Sequence, residues 1–115
     1  MKDAAEEFRN QLSMKLREAM KVRDQEAVST IRTLITTIDN AGAISKDEAA
    51  KLAAANISEA PRKKLSNQDL KQILDSEFQI RVQSIKEYES LGNAAQVSEL
   101  KKSLVTIESL SALLG

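Results

Sequence analysis

Phe8, Leu12, Leu16 and Met20 recur every fourth residue, with Ala5 and Ala19 between them on the same face. At about 100° per residue this row is one side of an amphipathic α-helix, whereas a strand would alternate its apolar residues. The pattern predicts a helix from about residue 3 to 22, ended by Arg23-Asp24, with Asp24 as candidate N-cap of the next. A second row, Val28, Ile31, Ile35 and Ile38, predicts a helix over about 25–40, closed by Ala41-Gly42 with Gly42 at C′. A third helix starts at the capping box Ser66-Asn67-Gln68-Asp69 and runs to Leu91, carrying Leu70, Ile73, Leu74, Phe78 and Ile85. Gly92-Asn93 reads as a joint between helices, Gly92 at C′ and Asn93 as N-cap. The fourth helix carries Val97, Leu100, Leu104, Ile107 and Leu114 on one stripe.

Residues 43–65 form an irregular connection. Within it, the box Ser45-Lys46-Asp47-Glu48 and the alanine-rich "EAAKLAAAN" predict one short helix with little to bury, before "SEAPRKKLS" breaks at Pro61. Short links between amphipathic helices imply antiparallel neighbours. The expected fold is all-α: four main antiparallel helices in a bundle-like array plus one short connecting helix, in a single domain spanning 1–115.

The chain's 115 residues suffice for one core and are few for two domains. It has no cysteine and no histidine, which removes disulfides, thiolate nucleophiles, zinc sites and Ser-His triads. Lysine plus arginine and aspartate plus glutamate both number 17, which argues against a strongly basic nucleic-acid domain, though not against a local basic patch. No apolar run approaches the ~18 residues of a membrane span. The N-terminal "MKDAAEEFRN" lacks the apolar stretch of a secretory signal. A cytoplasmic protein without metal or cofactor is expected.

Three features stand out from the generic helical background. The first is polar: Glu77, Arg81, Ser84 and Tyr88 fall on the same face as Leu70 and Leu74, where a core helix should be apolar. Glu77 and Arg81 stand at i, i+4, the spacing at which side chains touch. Two readings stay open: an ion pair satisfied inside the bundle, or a groove in which Arg81 and Tyr88 meet a ligand or partner. The second feature is the basic end of the first helix, where Lys15, Arg17, Lys21 and Arg23 outnumber Glu18 and Asp24. Cations there complement the helix dipole without further function. Phosphate contact is the alternative, and Arg62-Lys63-Lys64 in the connection adds to it. With no aromatic residue among these cations, contact to a nucleic acid is expected at the backbone alone. The third feature is "ESLSALLG", where Leu110 and Leu113 lie off the stripe of Leu100, Leu104 and Ile107. A helix apolar on two faces is either wrapped by neighbours or open to a partner.

Read in order, three blocks resemble the YqeY-like (GatB/YqeY) family, which is related to the C-terminal tail domain of the GatB-type subunit of the tRNA-dependent amidotransferase. "LREAMKVRDQEAVSTIRTLITTIDNA", Leu16 to Ala41, is similar to that family's "AMK…D…STLR-L…AI-N" helix pair, with Arg32 at the recurrent arginine. "PRKKLSNQDLKQIL", Pro61 to Leu74, resembles its "LSDEEV…L" helix start. "RVQSIKEYESLGNAAQVSELKKSLVTIESL", Arg81 to Leu110, resembles "RRESIEQYEKAGR…A…E…L…YL", including Ser84, Ile85, Tyr88, Glu89 and Gly92. The chain departs from the pattern before Ser84, where the family's "KQRR" run is reduced to Arg81, and at Asn93, where an arginine is frequent.

The resemblance implies a tRNA-engaging module whose amidase chemistry and catalytic cradle lie elsewhere. A label of carbon–nitrogen ligase with glutamine as amide donor would be inherited from the family. The expected function is a non-catalytic helical module contacting tRNA, a tRNA-handling protein or an amidotransferase-type assembly. Its candidate contacts are Arg17, Lys21, Arg32, Arg62, Lys63, Arg81 and Tyr88. The rival expectation is a protein–protein adaptor docking through Leu110 and Leu113 or through the Arg81/Tyr88 face.

Overall fold

The structure is a computed structural model that describes residues 3–43, 51, 54 and 64–115. Four α-helices are found among them: α1 (Ala4–Lys21), α2 (Gln25–Ala41), α3 (Asn67–Ser90) and α4 (Ala94–Ser111), the last continued by a single 3₁₀ turn, Ala112–Leu114. The fold is all-α, with each of the four expected main helices in place. The short connecting helix expected within 43–65, its box at Ser45, and the candidate contacts Arg62 and Lys63 lie outside the described residues.

Local chemistry accounts for most of the boundaries. Asp3, Asp24, Ser66 and Asn93 each accept a backbone N–H from the first turn of the helix they precede. At α3 the capping box is reciprocal: Ser66 Oγ accepts from the Asp69 N–H at 3.1 Å, and Asp69 returns the bond to the Ser66 N–H at 2.9 Å. Gly92 follows α3 with φ +70°, the left-handed geometry that glycine adopts without a Cβ clash.

The first turn between helices is built differently. Gly42 is buried and right-handed at φ −83°, so it closes α2 as the C-cap and not as the left-handed C′ residue expected. The left-handed position after α1 falls instead to Arg23, at φ 58°. Its conformation is held by the Arg23 N–H on Met20 O at 3.2 Å and the Asp24 N–H on Ala19 O at 2.9 Å. Arg23→Gly is expected to raise stability by about 0.5–1 kcal/mol, because it relieves roughly 1–2 kcal/mol of strain while adding roughly 0.5–1 kcal/mol of unfolded-chain entropy. A urea midpoint no higher than the parent's would show that Arg23 is unstrained.

The helices pair as two antiparallel hairpins. Arg9 and Asp39, placed symmetrically about Asp24, form a two-bond ion pair at 2.9 and 3.2 Å that ties the start of α1 to the end of α2. The hydrogen bond that Arg9 donates to Asp39, then the carboxylate's charge, raises the Arg9 pKa above an already high value. A raised cation pKa contributes stability at every pH below arginine's own titration, so this pair is no switch near neutrality. With side chains 47% and 35% exposed, it contributes at most about 1 kcal/mol. Arg81 and Ser103 are symmetric about Gly92 in the same way, and they join α3 to α4.

The hairpins meet over a core of Phe8 and Leu12 from α1, Ile31, Leu34 and Ile38 from α2, Leu70 and Leu74 from α3, and Ile107, Leu110 and Leu114 from the C-terminal part of the chain. Three expected stripes are shifted. Met20 is half exposed and Ala19 is buried in its stead. On α2, Leu34 and Thr30 are buried, while Val28 and Ile35 are half-buried. On α4 the buried row is Ser103, Ile107 and Leu110, continued by Leu114 in the 3₁₀ turn, with Val97, Leu100 and Leu104 half-buried. Besides its hairpin partner α3, α4 packs on α2, where Ser103 meets Thr30 and Thr106 meets Glu26, so its buried face turns towards both neighbours. This packing places Leu110 in the core at 2% exposure. As a docking residue it is ruled out by the helices that wrap it.

Candidate functional site

The polar row on α3 is half-buried, and Arg81 borders an open cleft of about 290 Å³ whose lining includes Glu26, Thr30 and Ser103. Arg81 Nη1 donates to Glu77 Oε2 at 2.8 Å and to the Glu77 carbonyl at 2.9 Å, and the two side chains are only 13% and 15% exposed. Arg81 Nε donates to Ser103 Oγ on α4 at 2.7 Å. Ser103 lies 2.7 Å from Thr30 Oγ1 on α2, and Thr30 lies 2.7 Å from Glu26 Oε2.

Hydroxyl arithmetic gives this chain a direction. Each hydroxyl has one proton, and the Glu26 carboxylate only accepts, so Thr30 donates to Glu26. Thr30 therefore accepts from Ser103, which in turn accepts from Arg81. The result is a one-way relay, Arg81 to Ser103 to Thr30 to Glu26, running from a cation to an anion through two buried hydroxyls. Thr106 Oγ1 adds a second donor to Glu26 at 3.0 Å, and Thr37 reaches Glu77 at 3.3 Å. Three helices, α2, α3 and α4, are thereby joined at the edge of the core.

Arg81 is thus a half-buried residue whose Nε and Nη1 are already engaged by Ser103 and Glu77, although it borders that cleft. Tyr88 is half-buried, and its hydroxyl makes no hydrogen bond among the described residues. Glu26, Thr30, Ser103 and Thr106 were missed by sequence reasoning. The signal for Thr30 and Ser103 is small: each is a short hydroxyl residue at the N-terminal end of a buried row, Ser103 at i, i+4 and i+7 from Ile107 and Leu110. Nothing in the sequence says that the two rows face each other.

The remaining candidates lie on the other side of α2. Arg17, Lys21 and Arg32 are exposed. Arg32 lines an open cleft of about 600 Å³ between the end of α1 and the first turns of α2, and there it is joined by Arg23. Neither arginine makes an ion pair among the described residues. Met20 and Val28 form the apolar part of the lining. Met20 is exposed here because it borders this cleft instead of the core. Arg17 and Lys21 do not line it. Leu113, the other candidate docking residue, is 39% exposed and borders a separate, smaller cleft of about 240 Å³ beside Phe8 and Asn67.

Among the described residues no group of three or more acidic side chains is arranged to hold a metal ion, and no helix is long and apolar enough to cross a membrane. No protein-family model matches this chain, nor does any curated protein or solved structure.

Proposed function

We propose that this protein is a non-catalytic helical module that holds the phosphate backbone of an RNA at the cleft between α1 and α2. The observation that carries the reading is the pair Arg23 and Arg32, two cations with no acidic partner among the described residues, flanking one open cleft. A guanidinium offers a planar fork that matches phosphate, and an arginine already held by a carboxylate has its fork occupied. Arg81 already gives Nη1 to Glu77 and Nε to Ser103, which moves the proposed contact off α3. Arg17 and Lys21, exposed on α1, are its natural extension. Transfer RNA is the specific substrate implied by the resemblance to the YqeY-like family and the amidotransferase tail domain.

Binding through a few phosphate contacts predicts a logarithmic salt slope of roughly −0.7 to −0.9 per contact, so affinity falls steeply between low and moderate salt. A filter-binding titration of tRNA at both salts is the test, with Arg23→Glu/Arg32→Glu as the variant. The expected result is salt-sensitive binding weakened about 10-fold or more by the double charge reversal, since each lost phosphate contact also becomes a repulsion. No binding at either salt overturns the proposal. The rival adaptor reading retains Tyr88 and Leu113 as its docking residues, and a pulled-down partner that Tyr88→Ala abolishes would favour it.

A further inference from the structure

Resting on the phosphate-binding reading, we infer that the α1–α2 cleft takes an unpaired nucleotide of a single strand and not the backbone of a duplex. A duplex presents its phosphates on a convex surface, and proteins meet them with cations spread along a face. Here Arg23 and Arg32, neither ion-paired among the described residues, line one open cleft of about 600 Å³, a volume within the range of small-ligand sites.

The lining of the recess is amphipathic. Met20, half exposed at the last turn of α1, and the half-buried Val28 give it an apolar wall that phosphate has no use for. A base or ribose face does use such a wall, and a thioether is a favourable neighbour for an aromatic ring. The arginines divide the remaining work: one guanidinium takes the phosphate, and the other lies flat against a base, as guanidinium planes do in single-stranded RNA recognition. This supplies a stacking surface in a cleft that has no aromatic residue.

Polar groups for a base edge are also in place. The Ser29 hydroxyl and the Gln25 amide make no hydrogen bond among the described residues. Thr33 donates its proton to the Ser29 carbonyl at 3.0 Å and keeps its lone pairs as acceptors. Arg23 completes the arrangement from a left-handed backbone position, a geometry that non-glycine residues hold only when their surroundings enforce it.

The test uses the full chain and three probes at one low salt: an unstructured oligoribonucleotide, a blunt duplex of the same sequence and inorganic polyphosphate, each displacing a labelled strand in fluorescence anisotropy. The single strand is expected to bind at least about 5-fold more tightly than either competitor, the scale of one stacked base. Met20→Ala, which keeps helix propensity, is expected to remove most of that preference, bringing the affinity for the single strand down towards that for the duplex and polyphosphate. Equal affinity for strand and duplex, or for strand and polyphosphate, overturns the inference and leaves the phosphate reading standing. A Met20→Ala protein with an undiminished preference overturns it too. Absence of binding by all three probes overturns the phosphate reading itself.

Discussion

Arg81→Ala is expected to lower the free energy of unfolding by about 3–5 kcal/mol, the range for removing one partner of a buried, hydrogen-bonded ion pair. For a domain of this size that is a fall in Tm of roughly 10–20 °C. The magnitude follows from what is left behind. Glu77, 15% exposed, keeps at most a share of the Thr37 proton, which lies closer to the Thr33 carbonyl at 2.9 Å than to Glu77 at 3.3 Å, and the relay through Ser103 and Thr30 loses its source of positive charge. Arg81→Lys keeps the charge but not the fork, so its loss should be intermediate. The double substitution Arg81→Met/Glu77→Leu should recover most of the stability, because an apolar pair leaves no unmatched charge. Equilibrium urea unfolding checks all three. If Arg81→Ala stays within about 1 kcal/mol of the parent, the relay does not couple the hairpins.

Leu110→Asp should be more severe still. Leu110 is 2% exposed among Leu34, Ile38, Leu74 and Ile107 in one core cluster. The substitution forfeits roughly 1.5–3 kcal/mol of leucine burial and places an uncompensated carboxylate in the core at a further several kcal/mol. Together these approach the ~5–15 kcal/mol that holds a natural domain folded. The expected outcome is a chain without a cooperative thermal transition. Leu113→Asp, three residues on and 39% exposed, should shift stability by no more than about 0.5 kcal/mol. Equal tolerance of the two substitutions would mean that α4 does not bury the face assigned to it. The contrast also decides how a lost partner is read: failure of Leu110→Asp to capture one would report unfolding, whereas failure of Leu113→Asp would report docking.

The two arginines show how the candidate site divides. Arg32 is visible in the sequence as an exposed cation in a family-like block, and it is exposed in the structure. Arg81 belongs to an equally family-like block, yet it faces inward to Glu77 and Ser103. Periodicity places Arg81 on the face of Leu70 and Leu74, and only the position of α4 decides between the internal ion pair and the open groove. Arg23 reads in the sequence as part of a basic helix end. Its place beside Arg32 depends on a left-handed turn that no glycine or asparagine announces.

What the sequence determined by itself was local. The ends of α1 to α4 follow from side chains that cap their own first turn, Asp24, Ser66 and Asn93 among them, and from one glycine at φ +70°. These interactions close within four residues, so the chain carries them wherever it folds. Tertiary structure decided which faces are buried, because burial belongs to pairs of helices and not to one. Leu34 in place of Ile35, Ser103 in place of Leu104 and Leu110 in place of solvent are set by where a neighbouring helix lies. The Arg81–Ser103–Thr30–Glu26 relay bonds residues up to 73 positions apart in the chain, and it exists only once the two hairpins have docked.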